Sequence, residues 1–146
     1  MITQLRIKIY ILLLTLSSIG CSKEESRYIT ASGEGELRIA LEQPIALTRL
    51  VAADGALYIF GGYAAVDSNR TAIGRGAVVA LIEGSAYYAV SLDLGSLDHL
   101  PSASDLEPLY GETIEIDSLN CIYEIYISGS NSQGVNVEVL YSGYCQ

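Results

Sequence analysis

Apolar residues recur at every second position through most of this chain, between breaks rich in Gly and Ser, and that period belongs to half-buried strands rather than helices. Val135, Val137, Val139 and Tyr141 alternate with Asn136, Glu138 and Leu140. The run Cys121-Ile122-Tyr123-Glu124-Ile125-Tyr126-Ile127 precedes them, and Ser128-Gly129-Ser130-Asn131-Ser132-Gln133-Gly134 reads as the turn between two paired strands. Upstream, Leu37, Ile39 and Leu41 set a strand that Pro44 ends. Ile45 to Ala53 gives a second, and Leu57 to Phe60 a third after the turn dipeptide Asp54-Gly55. Ala77-Val78-Val79-Ala80-Leu81-Ile82 is apolar on both faces and predicts a central strand, with its return over Tyr87 to Leu94.

The pattern fails from Gly95 to Gly111, where Pro101, Pro108 and several acids predict a long loop with a short helical turn near Ser102 to Glu107. It resumes as a short strand at Thr113 to Ile116. Gly33-Glu34-Gly35 and Gly74-Arg75-Gly76 read as turns or bulges, because a phosphate cradle needs a strand–loop–helix setting that neither has. The expected fold is all-β, with about eight strands: a small antiparallel sandwich of immunoglobulin-like form, or a closed barrel.

The first twenty residues obey other rules. Arg6 and Lys8 precede an apolar run from Ile9 to Ile19, which ends at Gly20 and Cys21. A positive start, a short apolar core and small residues at a cut form the pattern of an export signal. The run falls short of the about 20 residues that a membrane-spanning helix needs. The string Ser18-Ile19-Gly20-Cys21 resembles the lipobox of bacterial lipoproteins, with Ser18 where that family usually has Leu, Val or Ile. The resemblance implies cleavage before Cys21 and a lipid, including acyl chains such as palmitate, on that cysteine. Lys23-Glu24-Glu25, directly after it, resembles the surface-export signal of Bacteroidota lipoproteins. That implies attachment to the outer membrane facing the exterior, with the periplasmic face as the alternative. The resulting division is a signal peptide over residues 1–20, a lipidated cysteine and flexible tether over 21–35, and one β domain over 36–146.

Without its first twenty residues the chain has six basic residues against 17 acidic ones, a net charge near −11. Phosphate backbones need a basic face, so nucleic acid is disfavoured as a partner. Of three cysteines, Cys21 is assigned to lipid, which leaves Cys121 and Cys145 as an even pair in an exported protein. Folding the last hairpin about Ser132 brings Cys121 near residues 142–145, so a disulfide is expected there. It closes a loop of about 25 residues, for which the chain-entropy estimate is roughly 3 kcal/mol.

Groups for catalysis are sparse. The single histidine, His99, lies in Asp98-His99-Leu100-Pro101, and no GxSxG nucleophile elbow occurs. The acids are too scattered to single out a glycosidase pair. Asp93, Asp98, Asp105 and Glu107 share the long loop without the spacing of a calcium-binding helix–loop–helix. No enzyme activity, cofactor or metal is expected. The unusual feature is tyrosine, eleven against one Phe and no Trp. Tyr rings fill sheets, and they also stack on sugars and anchor interfaces. Tyr87 and Tyr88, with Tyr123, Tyr126 and Tyr141 of the final hairpin, are therefore the candidate ligand face. Asp117-Ser118-Leu119 resembles the short O-glycosylation acceptor of Bacteroidota exported proteins, with Ser118 as the acceptor. The expected function is a lipid-anchored, noncatalytic surface module that binds a protein or a glycan. The alternatives are an accessory subunit of an envelope assembly facing the periplasm, and an inhibitor or immunity-type protein.

Overall fold

The computed structural model describes residues 28–53, 55–67, 69–97 and 99–145. Cys21, Lys23, Glu24 and Glu25 lie outside them. Eleven strands follow in order: β1 (Tyr28–Ile39), β2 (Ile45–Ala53), β3 (Ala56–Gly61), β4 (Ala65–Val66), β5 (Ala72–Ile73), β6 (Arg75–Ile82), β7 (Ser85–Asp93), β8 (Glu107–Pro108), β9 (Tyr110–Leu119), β10 (Ile122–Ser130) and β11 (Asn136–Cys145). The chain is all-β, as its period demands. Two 3₁₀ turns, Leu94–Ser96 and Ala103–Asp105, punctuate the long loop.

Nine strands make one antiparallel sheet in the order β8-β7-β6-β3-β2-β1-β11-β10-β9, and β4 and β5 form a separate small hairpin. Almost every neighbour in the large sheet is also a neighbour in sequence. The exception is β1 against β11, which joins the first and last described strands over nine residue pairs from Ala31↔Cys145 to Ile39↔Val137. The run 107–119 joins the remaining edges: its first part, β8, lies on Tyr87 and Tyr88 of β7, and its second, β9, lies along β10. Side chains support this junction. Asn131 Nδ2 donates to the Tyr88 hydroxyl at 3.1 Å, Ser132 Oγ to Glu107 at 3.2 Å, and the Ala86 N–H to Glu112 at 3.1 Å. The result is a nearly closed meander of eight runs of chain. Of the two expected forms, this order is that of the up-and-down barrel; an immunoglobulin sheet needs Greek-key crossings.

An eight-strand barrel is just wide enough to be filled by its own side chains. Leu37, Leu50, Ile59, Val79, Ile127 and Val139 are at most 1% exposed and meet in one interior core to which all eight runs contribute. A second core lies outside the barrel wall. There Val51, Phe60, Val78 and Ala80 point away from the interior and are covered by Ala64, Val66 and Ala72 of the small hairpin and by Leu94 and Leu106 of the long loop. This explains the doubly apolar run in β6: both of its faces are buried.

Several expectations need correction. Residues 28–35, expected as tether, are strand; Tyr28 pairs with Ala53 and carries Arg70 over its ring at 4.5 Å. Leu41 does not continue the first strand but stands fully exposed in the turn after it. The short strand expected at Thr113 to Ile116 extends over Tyr110–Leu119, and Cys121 lies in the turn before β10, with positive φ at both Asn120 and Cys121. The glycines at 33 and 35 do form a bulge, as a register shift between Ser32 and Gly35.

The glycines are needed because β1 runs close against β11: a Cβ on Gly33 would run into the Ser142 carbonyl oxygen, and one on Gly35 into that of Leu140, with Tyr141 a further obstacle at Gly33. The Tyr141 ring lies inside the barrel, 3% exposed, and a Cβ on Gly33 or on Gly143 would stand 2.8 Å from its hydroxyl oxygen. Burial pushes the Tyr141 hydroxyl up to about 12, against a smaller opposing pull from Arg49. The protonated form therefore favours the fold below pH 10, and this contribution is lost as pH rises from 10 through about 12. Ultraviolet titration is expected to show one tyrosinate forming late. The denaturant midpoint is expected to fall over the same interval, and Tyr141→Phe to flatten that fall. A midpoint in Tyr141→Phe with unchanged pH dependence contradicts the assignment.

Candidate functional site: an uncovered acidic sheet face

The barrel wall has two unlike flanks. The outside of β2, β3 and β6, and of β1 at Tyr28, is roofed by the chain's own loops, whereas no described segment packs over the outside of β11, β10 and β9 or of β1 from Ser32 to Arg38. On that flank the pairing fixes which side chains stand together. Ser32, Tyr144, Ile122 and Leu119 form one row across the strands, and Glu34, Ser142, Glu124 and Asp117 the next. Glu36, Leu140, Tyr126 and Glu115 follow, then Arg38, Glu138, Ser128 and Thr113.

Apart from Ser32 the first row is apolar and exposed: Leu119 by 69%, Tyr144 by 62% and Ile122 by 53%. The rows beyond it carry six carboxylates and one base, Arg38, whose guanidinium is held by Glu36 at 2.8 Å. Tyr126 donates its hydroxyl to Glu138 at 3.1 Å. A shallow depression of about 350 Å³ lies here, between Glu34, Glu115, Glu124, Tyr126 and Leu140. Like charges at strand spacing repel one another and attract cations in solution. Yet strand spacing also keeps carboxylates apart, and among the described residues no three His, Cys, Asp or Glu side chains are grouped to hold a metal ion.

The five tyrosines named from the sequence do not share a surface. Tyr88, Tyr123 and Tyr141 point inward and are at most 8% exposed, because their parity along each strand is that of the interior core. Tyr87 faces outward but packs on the second core. Tyr126 alone belongs to the uncovered face. Ser118 lies in β9 opposite Tyr123 and is half-buried. The residues that alternation alone did not single out are Glu34, Glu115, Glu124, Leu140 and Tyr144. For Glu115, Glu124, Leu140 and Tyr144 the signal was available in the outward parity of β9, β10 and β11, once the turn at Asn120 and Cys121 set the register; Glu34 joins them only through the long-range pairing of β1 with β11.

Of the acids named in the long loop, Asp98 lies outside the described residues, Glu107 accepts from Ser132, and Asp93 and Asp105 bond within their own segment. Asp93 accepts from the Gly95 N–H at 3.1 Å and meets Arg75 at 3.5 Å. Asp105 accepts from the Ser102 N–H at 2.9 Å, and that bond, the largest influence on it, holds its carboxyl below the ordinary carboxylate range. His99 has its Nδ1 2.7 Å from the Leu100 carbonyl oxygen. The Cys121–Cys145 pair forms a disulfide with Cα atoms 5.3 Å apart.

Compared with known protein families, with characterised proteins and with solved structures, the chain matches none.

Proposed function

We propose that the protein is a lipid-anchored, noncatalytic binding module of the cell envelope, displayed at the surface, which engages a protein or a glycan through the uncovered flank of its barrel. The observation that carries this reading is the asymmetry of the wall. One flank has its apolar side chains roofed by the chain's own hairpin and loop. The other leaves Leu119, Ile122, Leu140 and Tyr144 between 46% and 69% exposed within an acidic surround. Exposed apolar residues that adjoin one another and are rimmed by polar ones are the mark of an interaction surface. The anchor rests on the resemblance at Ser18-Ile19-Gly20-Cys21, and the outward display on Lys23-Glu24-Glu25.

Cell fractionation tests the anchor. The parent protein is expected in membranes after alkaline washing, and Cys21→Ser in the soluble fraction, since acyl chains contribute about 0.8 kcal/mol per buried CH₂. A Cys21→Ser protein that stays with the membrane removes the lipid from the argument. Protease shaving of intact cells, with a periplasmic protein as control, tests the display. Digestion of the β domain with the control intact supports the exterior; protection of both voids the export argument from Lys23-Glu24-Glu25.

A further inference from the structure

We propose that β9 is an acceptor edge: an extended segment of a partner protein, with basic residues alternating with apolar ones, pairs with residues 113–119 and continues the sheet. The inference rests on the binding-module reading and gives the partner a chemistry. In the large sheet, β1, β2, β3, β6, β10 and β11 each have a strand on both sides, and β7 has β6 and β8. The strand β9 has β10 alone among the described residues, and it is ten residues long.

The turn fixes which backbone groups are left over. Asn120 and Cys121, both with positive φ, form a two-residue turn between Leu119 and Ile122, which makes those two a hydrogen-bonded pair. Hydrogen-bonded and non-bonded pairs alternate along antiparallel strands. The N–H and C=O groups of Ile114, Ile116 and Ser118 therefore point away from β10. Natural sheets blunt such an edge with proline, charged side chains (lysine above all), a bulge or brevity, and the charges on this edge, Glu115 and Asp117, are both acidic, so they oppose a like edge and not a basic one. Residues 113–119 contain no proline or lysine, and the nearest register shift, between Ser128 and Ser130 of the partner strand, lies beyond them.

Charge selects the occupant. The outward side of the edge carries Glu115 and Asp117, with Glu124 across from Asp117 on β10. A second copy pairing edge to edge would bring these carboxylates against their own kind, and the whole chain is already at −9. A strand with Lys or Arg on its outward side is matched instead. On the inward side, Ile114 and Ile116 are 7% and 5% exposed and border the interior core, so apolar side chains from the added strand would extend that core. The backbone ladder supplies affinity, and the alternation supplies selection.

The test uses the full chain as isolated from cells, in detergent, with amide exchange read residue by residue by NMR. Three synthetic peptides serve as probes: alternating Lys and Val, its Glu and Val counterpart, and the Lys peptide with a central proline. The Lys peptide is expected to slow exchange at Ile114, Ile116 and Ser118 by about tenfold or more, and the other two to leave it unchanged. Ser118→Pro, which removes an edge donor without touching the β9–β10 ladder, is expected to abolish the slowing. Asp117→Lys with Glu124→Lys, two exposed sites, is expected to transfer it to the Glu peptide. Glu42→Lys, a change of charge at an exposed residue of the turn after β1, is expected to keep the Lys preference. Several results overturn the proposal: no slowing, equal slowing by both charged peptides, or slowing that survives Ser118→Pro. Two more do so by naming another occupant. Amides already protected without peptide mean that the chain covers its own edge, and protection that grows with protein concentration means a second copy. Since the readout is independent of the anchor and of its membrane face, it can fail while the binding-module reading stands.

Discussion

Phe60→Ala is expected to lower the unfolding free energy by about 3–5 kcal/mol, and the melting temperature by roughly 10 °C or more in a domain of this size. Phe60 is fully buried, although its side chain points away from the barrel interior. It lies across from Val78 of β6, and its ring is stacked near Tyr58 with centroids 6.1 Å apart. Tyr58 in turn donates its hydroxyl to the Pro101 carbonyl at 2.9 Å, which ties the long loop down onto the wall. Truncation would therefore open a cavity beneath the loop that holds Leu94 and Leu106, and few neighbours are placed to close it. The magnitude decides between two views of this loop. If it is an integral outer layer, the loss approaches the value for a buried aromatic. If it is a loose cover, Phe60 is in effect a surface residue and the loss stays below about 1 kcal/mol. Ile122→Ala, on the uncovered flank at 53% exposure, is the control and is expected to change stability by about 0.5 kcal/mol at most. Chemical denaturation of the three proteins, compared at equal slope, checks this.

The elements legible in the sequence are those whose partners are close in sequence. The β10–β11 hairpin, the strand Ile45–Ala53 and the doubly apolar β6 follow from alternation over a few residues, and the cysteine pair follows from folding one hairpin. What escaped depends on distant partners. Residues 28–35 look like linker because their inward positions are small, Ala31, Gly33 and Gly35, and carry no large apolar side chain. Gly33 has no room for a side chain because the backbone of β11 at Ser142 and Gly143, and then the Tyr141 hydroxyl, stand against it more than a hundred residues later, and no local pattern records this. The tyrosines were ambiguous for a related reason: Tyr is a good strand former whichever face it takes, and only parity relative to a closed core separates Tyr123 from Tyr126. Closure itself rests on β1 against β11 and on the change of partner at Leu109, both long-range contacts. The uncovered face was half-visible. Its acids are plain in the sequence, but their gathering on one flank required the register of four strands.

Joint replacement of Cys121 and Cys145 by serine is expected to remove about 3 kcal/mol of stability, the second-largest loss anticipated after Phe60→Ala. The bridge spans a separation of 24 residues, and constraining an unfolded loop of that length is the main source of the estimate. Its place in the native fold adds a local consequence. Cys121 belongs to the turn between β9 and β10, and Cys145 ends β11, where its N–H also donates to the Cys121 carbonyl at 2.9 Å. Cys145 pairs in turn with Ala31, so the bridge clasps the end of the barrel at which β1 and β11 meet. Without it the end of β11 is held by its strand pairing alone and opens more readily. Amide exchange is therefore expected to accelerate at residues 142–145 and at Ala31 before it does in the rest of the core. Global stability is to be read by denaturant unfolding of the parent protein, oxidised and reduced, beside the double variant. Reduced parent and variant should coincide. Identical unfolding of oxidised and reduced protein would mean that the hairpin and its seam with β1 hold without the bridge. A loss well above about 5 kcal/mol would mean instead that the barrel does not close until the sulfurs join.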